Sequence, residues 1–159
     1  MSRSPTVLCI DDNVLGLAVR KAMLETRDYT AFTAESGQAG LEIVARERID
    51  LVILDYEMPD MNGEQVARRL RTHCPNLPIL LLTGYPGRIP KSLLSAVDGF
   101  VVKGSPPQVL LAEVERITSA LAEVLEQPAR RSRVCKKHAS ELPGRSSRSL
   151  RACRRKRKR

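Results

Sequence analysis

The sequence predicts an α/β fold in which helices cover both faces of a parallel five-stranded sheet. Five short apolar segments alternate along the chain with five segments of helical periodicity, which is the pattern of repeated strand–helix units. One of these apolar segments, residues 51–54, has no polar interruption, as is typical of a strand buried on both faces. Right-handed crossovers then leave few ways to wind the chain.

The predicted strands are the short apolar runs at residues 7–10, 29–34, 50–55, 78–82 and 99–102. The second run is the least hydrophobic, which places it near an edge of the sheet. The third run leads into a turn-rich segment that contains Pro59, Asn62 and Gly63.

The predicted helices follow residues that suit a helix amino terminus. Asn13 caps the first helix, Ser36 opens the second (to residue 46), and Pro106 lies in the first turn of the last; the third and fourth helices cover residues 63–72 and 91–96. Apolar residues at helical spacing are expected to face the core. They are Leu15, Val19, Ala22 and Met23, then Leu41, Val44 and Ala45, then Val66 and Leu70, and finally Leu110, Val114, Ile117, Leu121 and Val124.

The net charge of +9 is unevenly divided along the chain. Residues 127–159 carry 14 Lys and Arg and one acidic residue, whereas residues 1–126 carry 13 basic and 17 acidic residues. Apolar periodicity also stops after residue 126, and a segment so poor in apolar residues cannot offset its ordering entropy. We therefore predict a folded domain at residues 4–126 and a basic tail at residues 127–159 that is disordered on its own.

The sequence also predicts a cytoplasmic protein. No hydrophobic run approaches the roughly 18 residues that a membrane span needs, and the first ten residues lack the layout of a signal peptide. The cysteines, Cys9, Cys74, Cys135 and Cys153, are scattered, so we expect reduced thiols and no disulfide framework.

Polar side chains follow four of the predicted strands at the point where each strand ends. Asp11 and Asp12 follow the first strand, Asp55 ends the third, and Thr83 and Lys103 follow the fourth and fifth. Each of them alone is equally well explained as a turn former or a helix cap. Because the carboxyl ends of parallel strands share one edge of the sheet, however, all five can meet in one pocket. Three carboxylates beside one ammonium require raised carboxyl pKa values or a divalent cation, and all-oxygen ligands favour Mg²⁺ over Zn²⁺.

Four short motifs occur in a fixed order along the chain. They are IDD at residues 10–12, LVILDYEMPDMNG at 51–63, LLTG at 81–84 and GFVVKG at 99–104. Together they resemble the receiver domain of bacterial two-component response regulators, over about residues 6–125. The resemblance implies a flavodoxin-like fold with strand order 2-1-3-4-5. It also implies a regulator that promotes its own phosphorylation and dephosphorylation, and not an enzyme.

The resemblance implies which residues bind the phosphoryl group and the metal. Asp55 would accept the phosphoryl group, and Mg²⁺ would be held by Asp12, Asp55 and the main-chain carbonyl of Glu57, with Asp11 acting mainly through water. Lys103 would bind phosphoryl oxygens.

The resemblance further implies a switch and its partners. Thr83 would move toward the phosphoryl group, and Phe100 lies at the position of the switch aromatic, although a plain sheet-face aromatic explains it equally well. The implied partners are a sensor histidine kinase or a histidine phosphotransfer protein, and a downstream protein. The face formed by helix 4, strand 5 and helix 5 is a candidate surface for a homodimer.

The chain departs from the family pattern after Lys103. Gly104 stands where the family usually has a proline, often after a cis bond. We expect a trans Lys103–Gly104 bond, because the cis form costs about 3 kcal/mol before a residue other than proline, and a different local turn. Glu57 and Tyr85 flank the pocket at variable positions and are expected to tune the lifetime of the acyl phosphate.

The tail leaves a second function open. Its last six residues, RRKRKR, suit non-specific binding to nucleic acid or anionic lipid, with the domain as a scaffold. A solvated charged terminus explains the same run. A hydrolase or mutase with an aspartyl nucleophile fits less well, because Glu57 and Pro59 stand where the D-x-D-x-T motif has Asp and Thr.

Overall fold

The computed structural model describes residues 3–126, so the predictions made for the basic tail lie outside the described residues. Along the described chain five strands alternate with five α-helices, as predicted. The strands are β1 (Thr6–Ile10), β2 (Thr30–Ala34), β3 (Leu51–Asp55), β4 (Ile79–Thr83) and β5 (Gly99–Val102). The helices are α1 (Val14–Glu25), α2 (Gly37–Arg46), α3 (Gly63–His73), α4 (Lys91–Leu94) and α5 (Pro107–Glu126), and a 3-10 turn at Pro86–Arg88 precedes α4. No helix within residues 3–126 combines the length and apolar character that crossing a membrane requires.

The strands form one parallel sheet in the order β2-β1-β3-β4-β5. This order confirms the flavodoxin-like prediction and the placement of β2 at an edge. Every residue of β1, β3 and β4 is buried, which explains why these strands read as uninterrupted apolar runs. Alternate side chains of these strands enter two separate cores, one on the side of α2 and α3 and one on the side of α1 and α5.

The predicted caps Asn13 and Ser36 are present, and the third helix has a cap that was not predicted. Asn13 accepts a hydrogen bond from the Gly16 amide, and Ser36 accepts one from the Ala39 amide. Asn62 and Gln65 form a reciprocal capping box at the start of α3, with distances of 3.0 and 3.1 Å. These caps fix where each helix leaves the loop at the carboxyl edge of the sheet.

The predicted inner face of α1 is wrong at Leu15, Val19 and Ala22, whereas Met23 packs against the core as predicted. Leu17 and Leu24 are buried, whereas Leu15 and Val19 are 75% and 54% exposed. The helix carries two apolar stripes at helical spacing, and the sequence alone does not show which one meets the sheet. With Leu17 and Leu24 inward, Arg20 lies on the same side of the helix, one turn after Leu17.

A further expectation needs correction in α2. Val44 is buried, as predicted, but Ala45 is exposed and Gly40 is buried in its place. Gly40 lies so close to β1 that a Cβ atom there would be 2.3 Å from Cδ1 of Ile10. Cys9 is a free thiol in the core, as expected. In α3 and α5, the predicted positions Val66, Leu70, Leu110, Val114 and Ile117 are all buried.

Candidate functional site

Three acidic side chains lie together at the carboxyl edge of the sheet. Oxygen atoms of Asp11, Asp12 and Asp55 all lie within 4.8 Å of one another. Asp55 is the last residue of β3, and the two neighbouring acids directly follow β1, which pairs with β3 in parallel. Parallel pairing thus brings the ends of two adjacent strands, and their acids, to one point.

Asp55 lies at the centre of this site and is fully buried. Its Oδ1 accepts a hydrogen bond from the Glu57 amide at 3.2 Å, and its Oδ2 lies 2.7 Å from Nζ of Lys103. That buried oxygen meets the ammonium as an ion pair without an aligned hydrogen bond. Burial raises the pKa of Asp55, Asp11 raises it further, and the Lys103 ammonium counteracts both.

Lys103 connects two of the acids. Its Nζ also lies 3.3 Å from Oδ2 of Asp11. Burial disfavours the ammonium, but Asp55 and Asp11 outweigh that effect and raise the pKa of Lys103. Its amide donates to the main-chain carbonyl of Thr83 at 2.7 Å, which fixes Lys103 beside the end of β4.

The oxygens of Asp11 are all engaged, whereas Asp12 is open to solvent. Asp11 Oδ1 accepts a 2.8 Å hydrogen bond from the Asn13 amide, and Oδ2 is paired with both Lys103 and Arg20. The Asp12 carboxylate is exposed and makes no hydrogen bond or ion pair with the described part of the chain.

Arg20 is the site residue that the sequence reasoning missed. It lies in α1, nine positions after its partner Asp11, and an arginine in a helix is ordinarily a solvated surface residue. Gly16, one turn earlier on the same side of the helix, is the one sequence signal that could have pointed to it, and a single helical glycine is weak evidence.

Of the remaining predicted residues, Thr83 lies at the same end of the sheet as the cluster and Phe100 does not belong to it. Thr83 is fully buried at the end of β4, one residue past Leu82, which pairs with Asp55. Its Oγ1 accepts a 3.0 Å hydrogen bond from the Tyr85 amide. Phe100 is not part of the cluster: it lies in β5 opposite Leu81 and is 46% exposed.

The turn after β5 differs from a proline-containing one, as predicted. No peptide bond in the described range is cis, so the Lys103–Gly104 bond is trans. Gly104 adopts φ = +89°, and the Ser105 amide donates to the Val102 carbonyl at 3.1 Å. Glycine at the third position of such a turn supplies the positive φ that other residues adopt at a cost.

The cluster fits a divalent cation such as Mg²⁺. Three carboxylates and two cationic side chains leave one net negative charge in a small volume. The ligands are hard oxygens, the Asp55 carboxylate has a buried oxygen without an aligned donor, and Asp12 has free oxygens facing solvent. Nitrogen or sulfur ligands, which Zn²⁺ favours, do not contribute to the cluster.

The family model of the response regulator receiver domain matches residues 7–115. The chain therefore belongs to the response regulator receiver domain family. Among curated proteins it is 32% identical over 130 residues to the transcriptional regulatory protein GlrR of Escherichia coli K12, covering 81% of this chain and 28% of that protein. It is 32% identical over 148 residues to the sensor protein GacS of Pseudomonas syringae, covering 89% of this chain and 16% of that protein.

Solved receiver structures match the chain over nearly their whole length. The response regulator TrrA of Thermotoga maritima, in complex with Mg²⁺ and BeF, gives a TM-score of 0.68 at 32% identity, covering 71% of this chain and 98% of that one. The chemotaxis protein CheY4 of Vibrio cholerae gives a TM-score of 0.65 at 26% identity, covering 72% of this chain and 98% of that one. The chain thus spans only part of these curated relatives, 28% of the length of GlrR and 16% of the length of GacS.

Proposed function

We propose that this chain is a phosphoacceptor switch of a two-component pathway and that Asp55 is the residue phosphorylated. One observation carries the proposal: the Asp55 carboxylate ends a buried strand beside an ammonium at 2.7 Å and two further acids. A sensor histidine kinase or a histidine phosphotransfer protein is the expected donor. The similarity to GacS, named as a sensor protein, supports a partner of this class.

The proposed reaction transfers a phosphoryl group between two side chains. A carboxylate oxygen of Asp55 attacks phosphorus, the phosphorus–nitrogen bond of a phosphohistidine breaks, and its electron pair returns to the imidazole. The product is an acyl phosphate. Lys103, already 2.7 Å from Asp55, can pair with a phosphoryl oxygen. Because Oγ1 of Thr83 accepts from the Tyr85 amide, its own hydrogen is available to donate to another.

We assign the metal to Asp12, Asp55 and the main-chain carbonyl of Glu57, with Asp11 acting through water. The engaged oxygens of Asp11 and the open carboxylate of Asp12 support this division. Bound Mg²⁺ would neutralise the negative charge of the phosphoryl group.

Phosphorylation would act through a change in protein–protein contacts. Thr83 and the loop that follows β4 are the switching segment, and Phe100 is the aromatic that responds. Leu94, Phe100 and Val109 are exposed apolar residues of α4, β5 and α5, which supports this face as the surface for a downstream partner or a second copy. We place this unit at residues 4–126, in the cytoplasm, and propose that it acts as a regulator and not as an enzyme.

Phosphodonor labelling tests the proposal. The full chain is incubated with acetyl phosphate and Mg²⁺, and the modified residue is mapped by mass spectrometry. We expect one phosphoryl group on Asp55 and none in Asp55→Asn. Asp60→Asn is the matched control, because Asp60 is an exposed acid of the same loop with φ = 63°, which Asn tolerates, and it should label normally. An unlabelled wild-type protein, or label that persists in Asp55→Asn, would contradict the proposal.

A further inference from the structure

Arg20 of α1 folds back along its own helix to reach Asp11. Its guanidinium pairs with Oδ2 of Asp11, and the two side chains are 14% and 2% exposed. The Nε atom of Arg20 is buried and makes no hydrogen bond with the described residues. A guanidinium that gives up hydration to this extent is held in place by the acid it faces, unlike a solvated arginine on a helix surface.

Gly16 makes room for this conformation. A Cβ atom at Gly16 would lie 3.2 Å from Nη2 and 3.3 Å from Nη1 of Arg20, closer than ordinary van der Waals contact. The missing side chain one turn before Arg20 is therefore the space that the guanidinium crosses on its way to Asp11. Glycine inside a helix costs about 1 kcal/mol relative to alanine, so α1 is less stable with this space than it would be with alanine.

The ion pair between Arg20 and Asp11 changes the net charge of the acidic cluster. Oδ2 of Asp11 is shared between Arg20 and Lys103, and Oδ1 is bound by the Asn13 amide. Removing Arg20 alone would change the net charge of the cluster from −1 to −2 and leave Oδ2 of Asp11 with one cationic partner, Lys103, in place of two. Both effects favour a divalent cation.

We propose that Arg20 is a resident counter-cation of the acidic pocket, which competes with Mg²⁺ for Asp11 and lowers the affinity of the pocket for the metal. The inference rests on the proposed function, since it takes Asp11, Asp12 and Asp55 as a metal site. Gly16 is also required, because the absence of a side chain there leaves the space that the Arg20 side chain occupies. Arg20 and Gly16 together set the Mg²⁺ concentration at which the switch can be phosphorylated.

The opposite role for Arg20 makes the opposite prediction. If Arg20 served to orient Asp11 for the metal, its removal would weaken binding of Mg²⁺. The sign of the change in affinity therefore separates competition from positioning, and it is read from metal binding without any phosphorylation assay.

Isothermal titration calorimetry with MgCl₂ on the full chain tests the proposal. We expect Arg20→Gln to bind Mg²⁺ about tenfold more tightly than the wild type, a value well below the unscreened attraction because the site opens to water. Lys21→Gln is the matched control: it removes the same charge from the same helix, but Lys21 is exposed and paired with Glu25 at 3.8 Å. It should leave the affinity within about twofold, the scale of an exposed, screened charge.

Gly16→Ala tests the same proposal with Arg20 still present. The new methyl group would lie 3.2 Å from Nη2 of Arg20, so the guanidinium must shift by a few tenths of an ångström, which weakens its pairing with Asp11. This variant should therefore also bind Mg²⁺ more tightly, by less than Arg20→Gln, while alanine keeps the helix stable. Circular dichroism confirms that each variant is folded. Unchanged or weaker binding in Arg20→Gln, with normal binding in the wild type, overturns the inference and leaves the proposed metal site intact. If no variant binds Mg²⁺, the proposed metal site fails as well.

Discussion

A Cβ atom on Gly63 would lie 2.6 Å from the main-chain carbonyl oxygen of Asp55 and 2.8 Å from Cα of Tyr56. Helix α3 thus begins in direct contact with the backbone that carries the proposed phosphoacceptor. The Gly63 amide donates to the Tyr56 carbonyl at 3.0 Å, which closes the loop after β3 onto the start of the helix. This loop includes Glu57, whose carbonyl we assign to the metal, so the geometry of the site depends on a residue without a side chain.

Gly63→Ala should therefore destabilise the protein. The atoms that the methyl group meets are backbone atoms of a buried strand end, which cannot turn aside as a side chain can. We expect a loss of about 2 to 3 kcal/mol in the free energy of unfolding, the range of an overpacked core, measured by urea denaturation. Gly87→Ala is the control, because a Cβ atom there meets nothing within 4 Å. Equal stability of the two variants would contradict the close approach.

Asp55→Asn should make the metal-free protein more stable at neutral pH. Burial raises the pKa of Asp55, so the folded state disfavours the carboxylate, and a neutral amide of the same size removes that cost. We expect a gain of about 1 kcal/mol in the free energy of unfolding in the absence of Mg²⁺, because Lys103 keeps its contact with Asp11 and is not left as an unpaired buried charge. Adding Mg²⁺ should raise the melting temperature of the wild type more than that of the variant, because the metal binds the folded state of the wild type.

The gain in stability of Asp55→Asn over the wild type should increase as the pH rises. With a raised pKa, the folded protein binds more protons than the unfolded chain as the pH passes upward from the ordinary Asp range. The wild type therefore loses stability through that window, whereas Asp55→Asn does not. The difference between the two proteins should be largest at neutral pH and vanish below about pH 4, the unperturbed Asp value. A difference that stayed constant with pH would show that the carboxylate charge is not its cause.

The sequence was sufficient to predict the sheet and its acidic edge because both depend on the strands. Residues 51–55 are buried on both faces, so their pattern has one interpretation, and parallel strands must end on the same edge. Asp11 and Asp55 meet for that reason.

The orientation of α1 could not be predicted on the same grounds. A helix rotates about its axis until one apolar stripe packs, and α1 has two, one with Leu15 and Val19 and one with Leu17 and Leu24. The choice depends on the shape of the sheet face that receives it. Arg20 was missed as a consequence, because its approach to Asp11 follows from that rotation and from a side-chain path over Gly16.

Substitutions at Gly104 should be ranked by backbone preference alone. A Cβ atom at Gly104 meets nothing within 4 Å, so steric contact adds nothing to the cost of its φ of +89°. We expect Gly104→Ala to lose about 1 kcal/mol of stability and Gly104→Asn less, because Asn tolerates positive φ better. Gly104→Pro should lose more than either, since its ring fixes φ near −65°. Urea denaturation of the three variants measures the order, and a proline variant as stable as the wild type would contradict the turn.

Cys9 should make the protein sensitive to alkaline pH. Burial raises the pKa of this thiol from its ordinary value of 9.0 to about 12. Between these values the unfolded chain loses the thiol proton while the folded protein keeps it, so stability falls as the pH rises. Relative to Cys9→Ala, the wild type should lose about 1.4 kcal/mol between pH 8 and pH 10, one pH unit above the unfolded pKa. Urea denaturation of both proteins at each pH measures this difference; other titrating groups cancel in the comparison, and a flat difference would place the Cys9 thiol in contact with water.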